Sequence, residues 1–293
     1  MTAPALRLGA VGYLNARPLV YGLDRVGRFD LRYDLPSECA RLLHAGDTDL
    51  GLIPSIEYLR GGPYAIVPDL SIASRGPVDS VAIYTTRPMA DVRSIAMDTS
   101  SRTSVALVSV LCARLFKIKP RLEARGPDLR DMLAHADAAL IIGDNALLLD
   151  EEKLSAVSSQ LSATRHQPPA TGLQPPATSH QPPRIEKIDL GSAWTGMTGL
   201  PFVYAFWAGR PDALTARDVE TLTRARDAGV RAADAIARAY FPDAPERQAI
   251  GARYLRDNIK YYLGGDERAA LEMFYRYAAE TGVVPDAGQL RFF

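Results

Sequence analysis

The chain has 293 residues, of which 47% are hydrophobic and 23% charged. This length exceeds that of most single cores and predicts two lobes, and the composition excludes a fibrous, disordered or disulfide-stapled protein. Lys plus Arg and Asp plus Glu number 34 each. Because no basic field is available to attract phosphates, we expect no nucleic-acid partner.

The cysteine content and the apolar runs indicate the cellular setting. Cys39 and Cys112 both lie in apolar, helix-like stretches, and we predict buried free thiols there, with a catalytic or metal-binding cysteine as the alternative. No run approaches the roughly 18 apolar residues that span a bilayer, and the N-terminal segment lacks the pattern of an export signal. We therefore predict a cytoplasmic chain with no membrane partner.

Strand and helix patterns alternate along the first 90 residues, which is typical of βα units. The predicted elements are a strand at 6–11, a helix after Asn15 and Pro18, a helix from Pro36 to Gly46, a strand at 50–53, a helical turn from Pro54 and a strand at 80–86. Arg87-Pro88 ends the last strand. We place it at the end of the first lobe, from which it runs toward the second.

The same alternation returns in the second half. The predicted elements are a strand at 94–97, a polar loop at 98–104, a helix with apolar positions from Val105 to Leu115, strands at 138–142 and 202–208, and helices after Thr215 and around 271–278. This order predicts an α/β protein with a double crossover. Lobe 1 comprises residues 1–86 and 203–293, and lobe 2 comprises residues 87–202.

A segment of low complexity interrupts lobe 2 from Gln160 to Arg184, where Gln-Pro-Pro recurs at 167, 174 and 181. Two prolines in every seven residues exclude a packed helix. We predict a disordered or extended surface loop at about 160–184, with a proline-motif docking site as the alternative.

Polar residues follow four predicted strands, at Gly12–Pro18, Pro54-Ser55, Asp98–Ser104 and Gly143–Asn145. Such strand ends meet at one cleft in α/β sheets, and hydroxyls at a helix N-terminus favour an anion. The predicted binding residues are Ser55, Thr99, Ser100, Ser101, Arg102, Thr103, Gly143 and Asp144. Arg102 faces either ligand or solvent, and Asp144 is either a base or a turn former.

Asn15 and Ser80 are the candidate catalytic residues. The alternative for Asn15, favoured when that residue is taken alone, is a helix N-cap, and the alternative for Ser80 is a turn hydroxyl. The sequence contains no GxxxxGK[ST], GxSxG or HExxH motif, and no GxGxxG follows the first strand. No histidine falls in the predicted cleft segments. Nucleotide, hydrolase and zinc chemistry are disfavoured, and no metal site is predicted.

Five segments together resemble the chorismate dehydratase family of the futalosine route to menaquinone. They are GAVGYLNARPLVYGL (9–23), GLIPSIEYLR (51–60), IASRGPVDSVAIYTTRP (72–88), MDTSSRTSVALVSVL (97–111) and GLPFVYAFWAG (199–209). The resemblance implies a two-lobed, periplasmic-binding-protein-like (type II) fold with a central cleft. It also implies conversion of chorismate to 3-[(1-carboxyvinyl)oxy]benzoate plus water, with no cofactor.

On this resemblance, Asn15 and Ser80 hydrogen-bond the departing hydroxyl or the enolpyruvyl group, and Ser55, Ser100, Ser101 and Thr103 hold carboxylates. The proton passes to the enolpyruvyl carboxylate of the substrate itself. Three alternatives stay open: a small-anion solute-binding protein, a 1,4-dihydroxy-6-naphthoate synthase-like enzyme with a cleft histidine, and a ligand-sensing regulatory module. The sequence specifies no oligomeric state.

Overall fold

The computed structural model describes residues 5–165 and 184–293. The strands are β1 (Leu6–Val11), β2 (Phe29–Asp34), β3 (Leu50–Pro54), β4 (Ala65–Ile66), β5 (Ile72–Ser74), β6 (Val81–Thr85), β7 (Ser94–Met97), β8 (Arg121–Ala124), β9 (Ala138–Ile142), β10 (Glu186–Asp189) and β11 (Phe202–Gly209).

The α-helices are α1 (Pro36–Ala45), α2 (Arg102–Leu111), α3 (Leu129–His135), α4 (Gly143–Leu147), α5 (Glu151–Arg165), α6 (Leu190–Thr198), α7 (Ala216–Arg231), α8 (Ala233–Tyr240), α9 (Pro245–Arg253) and α10 (Gly265–Glu280). Short 3₁₀ turns cover Leu14–Val20, Leu23–Arg25, Ser55–Leu59 and Met89–Asp91, and π-helical turns cover Cys112–Phe116 and Tyr254–Asn258. No described helix is both long and apolar enough to cross a membrane.

The strands form two sheets, one in each lobe. The first has the order β2-β1-β3-β11-β4, with β5 also paired to β11, and the second has the order β10-β6-β9-β7-β8. In the first sheet β1 is parallel to β2 and β3, and in the second β7 is parallel to β8 and β9. The carboxyl ends of β1, β3, β7 and β9 therefore face the cleft between the lobes, where ligands bind in such sheets.

Local sequence signals explain several of these boundaries. Helix α1 begins at Pro36, whose fixed φ suits a first turn, and ends at Gly46 with a φ of 75°. A capping box between Thr215 and Asp218 begins α7. Ser101 caps α2 by accepting from the Ser104 amide. The predicted helix limits at Pro36, Gly46 and Thr215 are confirmed, whereas α2 begins at Arg102, inside the predicted polar loop 98–104.

The chain crosses between the sheets twice, but the first crossing precedes the expected boundary at residue 86. Strand β6 pairs with β9 over its whole length, from Val81 opposite Ile142 to Thr85 opposite Ala138. It therefore lies in the second sheet, and the chain changes sheets in the segment 75–80. Arg87-Pro88 only ends the strand. The return crossing lies between β10 and β11.

Two further expectations need correction. Tyr13, not Asn15, is the N-cap of the turn Leu14–Val20, so Asn15 lies inside the turn and caps nothing. Residues 160–165, predicted as loop, are the last residues of α5. The rest of the proline-rich segment, 166–183, lies outside the described residues.

Candidate functional site

A pocket lies between the sheets where β1, β3 and β9 end and β6 begins. It is lined by Val11, Tyr13, Asn15, Pro36, Pro54, Ile72, Val78, Ser80, Val81, Ser101, Ser104, Ile142, Gly143, Tyr204 and Ala205. None of these described residues carries a formal charge at neutral pH. Hydroxyls, one amide and the start of α2 are therefore the groups that can recognise a polar ligand there.

Gly143 allows the pocket to close around Tyr13. Its φ of 64° lies in the left-handed region, and a Cβ atom there would stand 3.0 Å from the Tyr13 ring. The Gly143 amide also donates to the carbonyl of Ser80 at 2.7 Å. Both the backbone and the space therefore require glycine at this position.

Asn15 presents an unused acceptor. The turn Leu14–Val20 follows directly on β1 and places Asn15 in the pocket lining, half-buried. Its Oδ1 atom is buried and has no hydrogen-bond partner within the described chain. A buried acceptor without a partner is costly, so this atom is suited to receive a hydrogen bond from a ligand.

Ser80 lines the same pocket and immediately precedes β6. The hydroxyl of Tyr254 donates to Ser80 Oγ at 2.7 Å. No hydrogen bond donated by Ser80 is found among the described residues, so its own hydrogen can be given to a ligand. The pocket thus combines the Asn15 acceptor with the Ser80 donor.

The start of α2 supplies the third polar edge. Ser101 and Ser104 both line the pocket, with their Oγ atoms 3.0 Å apart. The N-terminal end of a ten-residue helix carries partial positive charge. Because the lining carries no formal positive charge, this end is the feature of the pocket that best suits a carboxylate.

A hydrogen-bond relay links the two lobes at the pocket wall. Tyr13 Oη donates to Ser100 Oγ at 3.3 Å, and Ser100 Oγ donates to Asp98 Oδ1 at 2.6 Å. Asp98 is buried at the end of β7, and its Oδ2 atom has no partner in the described chain. Ser100 therefore contacts Tyr13, which lines the pocket, but Ser100 does not line the pocket itself.

Four other predicted binding residues lie outside the lining. Ser55 and Thr103 are completely buried, and their hydroxyl oxygens are 3.3 Å apart. Thr99 is exposed. Arg102 faces away from the pocket and pairs with Glu57 at 2.9 Å. Of the binding residues predicted from the sequence, Ser101 and Gly143 line the pocket.

Asp144 lies at the edge of the cleft, in α4 of lobe 2, and its carboxylate accepts hydrogen bonds from lobe 1. Its Oδ1 accepts from the Leu14 amide at 3.3 Å, and its Oδ2 accepts from the Tyr240 hydroxyl at 2.5 Å. Burial raises the pKa of this carboxyl above its ordinary value, against the opposing effect of those hydrogen bonds. The arrangement makes Asp144 an interlobe acceptor.

The structure has the lobes closed on a small cavity. Besides the contacts of Asp144, Arg102 and Tyr13, the Ser37 amide donates to the Ser100 carbonyl at 3.0 Å and the Ile56 amide donates to Thr103 Oγ1 at 3.1 Å. The cavity measures about 40 Å³, which is room for only a few water molecules. A ring-sized ligand therefore needs the lobes to open before it enters.

A family model described as menaquinone biosynthesis matches residues 6–161 and 177–280. The chain belongs to this menaquinone biosynthesis family. A curated relative, the chorismate dehydratase of Thermus thermophilus, is 31% identical over an alignment of 273 residues that covers 91% of this chain and 93% of that protein.

Solved structures place this member of the menaquinone biosynthesis family among two-lobed, periplasmic-binding-protein-like folds. A protein from Archaeoglobus fulgidus superposes with a TM-score of 0.66 at 15% identity, covering 96% of this chain and 98% of that one. The alkanesulfonate-binding protein SsuA from Xanthomonas axonopodis pv. citri, bound to MOPS, gives 0.60 at 14% identity, covering 98% and 96%. The predicted fold class is confirmed.

Four tyrosines that line the pocket or contact polar residues of the cleft were not predicted as site residues from the sequence. Tyr13 and Tyr204 line the pocket. From the sequence, Tyr13 was placed in the polar segment after the first strand, and Tyr204 was placed in the strand 202–208. Tyr240 and Tyr254 come from C-terminal helices far along the chain. Helical periodicity alone gives no signal that these two reach the cleft.

The described histidines lie away from the pocket. His44 contacts the Tyr64 hydroxyl at 2.9 Å and Glu57 at 3.3 Å. His135 is exposed and contacts the carbonyl of Asp131. His166 and His180 are outside the described residues. No described histidine is thus placed to act as a base in this cavity.

Proposed function

We propose that this protein is a chorismate dehydratase, a hydro-lyase that converts chorismate to 3-[(1-carboxyvinyl)oxy]benzoate and water. The observation that carries the proposal is the pairing of an unpartnered buried acceptor, Asn15 Oδ1, with an available donor, the Ser80 hydroxyl, in one uncharged pocket. The relative from Thermus thermophilus, which bears that name, supports the choice of substrate.

The pairing suits a ring hydroxyl. A hydroxyl both donates and accepts, so it can give its hydrogen to Asn15 Oδ1 while its oxygen accepts from Ser80. As the carbon–oxygen bond breaks, negative charge grows on that oxygen. A fixed donor is worth most at this stage, because it stabilises the developing charge more than the ground state.

The elimination balances without a further reactant. The hydroxyl leaves the ring with the bonding electron pair, and the neighbouring ether-bearing carbon loses a proton. The electrons of that carbon–hydrogen bond complete an aromatic ring. The proton is taken up by the enolpyruvyl carboxylate of the substrate and is passed on to the departing hydroxide, which leaves as water. Aromatisation favours the reaction, so the protein mainly has to orient the substrate.

The proton acceptor in this proposal is the enolpyruvyl carboxylate of the substrate. Among the described residues that line the pocket, none is a histidine or an acid. The other carboxylate is held by Ser101 and Ser104 at the start of α2. The proposal requires no cofactor and no partner other than the substrate, and it includes the cytoplasmic location that the sequence predicts.

The test is to incubate the purified protein with chorismate and to follow products by chromatography and mass spectrometry. The proposal predicts an enzyme-dependent product lighter by one water and with a benzenoid spectrum. A solute-binding protein of the same fold would bind chorismate and leave it intact. Unchanged chorismate with the folded protein contradicts the proposed function.

A further inference from the structure

The π-helical turn Tyr254–Asn258 contacts the crossing segment that ends in the pocket. Tyr254 Oη donates to Ser80 Oγ at 2.7 Å, and Asn258 Nδ2 donates to the Pro77 carbonyl at 3.0 Å and to Asp79 at 3.1 Å. π-Helical turns are rare and frequently occur at functional sites. This turn brings a C-terminal helix into contact with one of the two candidate catalytic residues.

Tyr254 acts on Ser80 as a neutral donor. Only 2% of Tyr254 and 1% of Ser80 are exposed, so water does not compete for their hydrogen bond. Burial raises the pKa of the Tyr254 phenol far above its ordinary value, and the charge of Asp144 acts in the same direction. The phenol therefore keeps its proton and does not serve as a base.

Ser55 is a buried serine whose hydroxyl hydrogen is already used in a hydrogen bond. It is as deeply buried as Ser80, but its hydroxyl donates to the Val203 carbonyl at 2.9 Å. The hydrogen of Ser55 is thus committed to the backbone. At Ser80 the bond runs the other way: Tyr254 occupies one lone pair of the serine oxygen, and the serine hydrogen stays available.

We propose that Tyr254 is a positioning residue that holds the Ser80 hydroxyl with its hydrogen directed at the departing oxygen of the substrate. This inference rests on the proposed dehydratase function. Without the tyrosine hydroxyl, the Ser80 hydroxyl rotates among its staggered positions and loses the polarisation that a hydrogen-bond chain provides. The loss falls on the transition state, because the oxygen carries most charge there.

The test compares Tyr254→Phe with Tyr261→Phe. Tyr261 is 1% exposed, and its hydroxyl has no hydrogen-bond partner in the described chain. Both substitutions therefore remove one oxygen from a buried ring, and only the first removes a bond to Ser80. Removal of a direct donor to a developing oxyanion costs about 10²–10³ in kcat. For this indirect donor we expect a loss of about 10-fold in kcat, with KM changed less than about 3-fold.

A double-mutant cycle separates positioning from general structural support. In a Ser80→Ala background the bond from the Tyr254 hydroxyl to Ser80 is already lost, so Tyr254→Phe should lower kcat by less than about 2-fold further. Tyr261→Phe should leave kcat unchanged in both backgrounds. Melting temperatures identify any variant that is poorly folded, and kcat is then compared only among variants that melt as the parent does.

The possible outcomes are distinct. Loss of kcat in Tyr254→Phe that disappears in the Ser80→Ala background supports the inference. Equal kcat for Tyr254→Phe, Tyr261→Phe and the parent overturns it and leaves the dehydratase function standing. A 10-fold loss that persists in the Ser80→Ala background also overturns it. A parent protein that does not convert chorismate overturns the proposed function together with the inference.

Discussion

Arg102 and Glu57 form an ion pair across the two lobes, with Arg102 Nη1 2.9 Å from Glu57 Oε2. Glu57 has no exposed side-chain surface, whereas 43% of the Arg102 side chain is exposed. Burial alone would raise the pKa of Glu57, but the hydrogen bonds from His44 and Arg60 and the charge of Arg102 outweigh it and lower the pKa. The carboxylate therefore stays charged and holds the start of α2 against lobe 1.

Arg102→Ala should weaken lobe closure without removing a ligand contact. A partly exposed ion pair is worth up to about 1 kcal/mol, so we expect the apparent affinity for chorismate, measured as KM in the turnover assay, to fall about 5-fold. Arg60→Ala is the matched control, since Arg60 contacts the same carboxylate at 2.9 Å from within lobe 1, and it should change affinity less than 2-fold. A loss above about 100-fold for Arg102→Ala would mean that Arg102 binds the ligand directly.

Gly143→Ala should destabilise the protein through both the backbone and the Tyr13 ring. A non-glycine residue in the left-handed region costs about 1–2 kcal/mol, and the contact at 3.0 Å adds to that cost. Gly22→Ala is the control, because Gly22 has a φ of 75° and nothing within 4 Å of the added Cβ. Urea unfolding should show a larger loss for Gly143→Ala. Equal losses of stability would mean that the contact with the Tyr13 ring adds nothing to the cost of Gly143→Ala.

Asp218 should make stability depend on acid pH. The hydrogen bond from Arg28 is the main cause that lowers the pKa of Asp218 from 3.8 to about 2. Because the folded pKa is depressed, the stabilisation is present above pH 3.8 and is lost as the pH falls toward 2. It amounts to about 2 kcal/mol.

Asp218→Asn should therefore lower the free energy of unfolding at pH 7 by about 2 kcal/mol, with the difference from the parent shrinking as acid is added. Asp212→Asn is the control, because 87% of that side chain is exposed, and it should change little at any pH. A constant difference between Asp218→Asn and the parent from pH 7 to pH 3 would contradict this assignment.

The two thiols should be inert in the folded protein. Burial raises the pKa of both Cys39 and Cys112 to about 12, and only the thiolate reacts with disulfide reagents. At pH 8 we expect no labelling of native protein within minutes, and labelling of both cysteines after denaturation. Rapid labelling of either cysteine in the native state would mean that its surroundings open readily.

The sequence predicted those parts of the fold that depend on local chemistry. Gly46, the Thr215–Asp218 capping box and the buried strand 138–142 each follow from short patterns, and the structure has them as expected. The change of sheet before β6 was not predicted. It depends on the pairing of Val81–Thr85 with a strand more than 50 residues later, which no local pattern encodes.

The candidate site was likewise predictable only where a residue's position depends on the local sequence. Asn15, Ser80, Ser101 and Gly143 follow or precede predicted strands, and all four line the pocket. Arg102 follows a strand too, but Glu57 from the other lobe decides where its side chain points. Tyr254 reaches Ser80 from the π-helical turn Tyr254–Asn258, which no local sequence pattern predicted.

The central claim is that the pocket performs chemistry on the ligand it binds, and Ser80→Ala tests it most directly, because Ser80 is the donor to the departing oxygen. Turnover of chorismate by this variant and by the parent is followed by mass spectrometry to give kcat and KM. The account predicts a KM within a few-fold of the parent and a kcat at least about 100-fold lower. A well-folded Ser80→Ala variant with full turnover would contradict it.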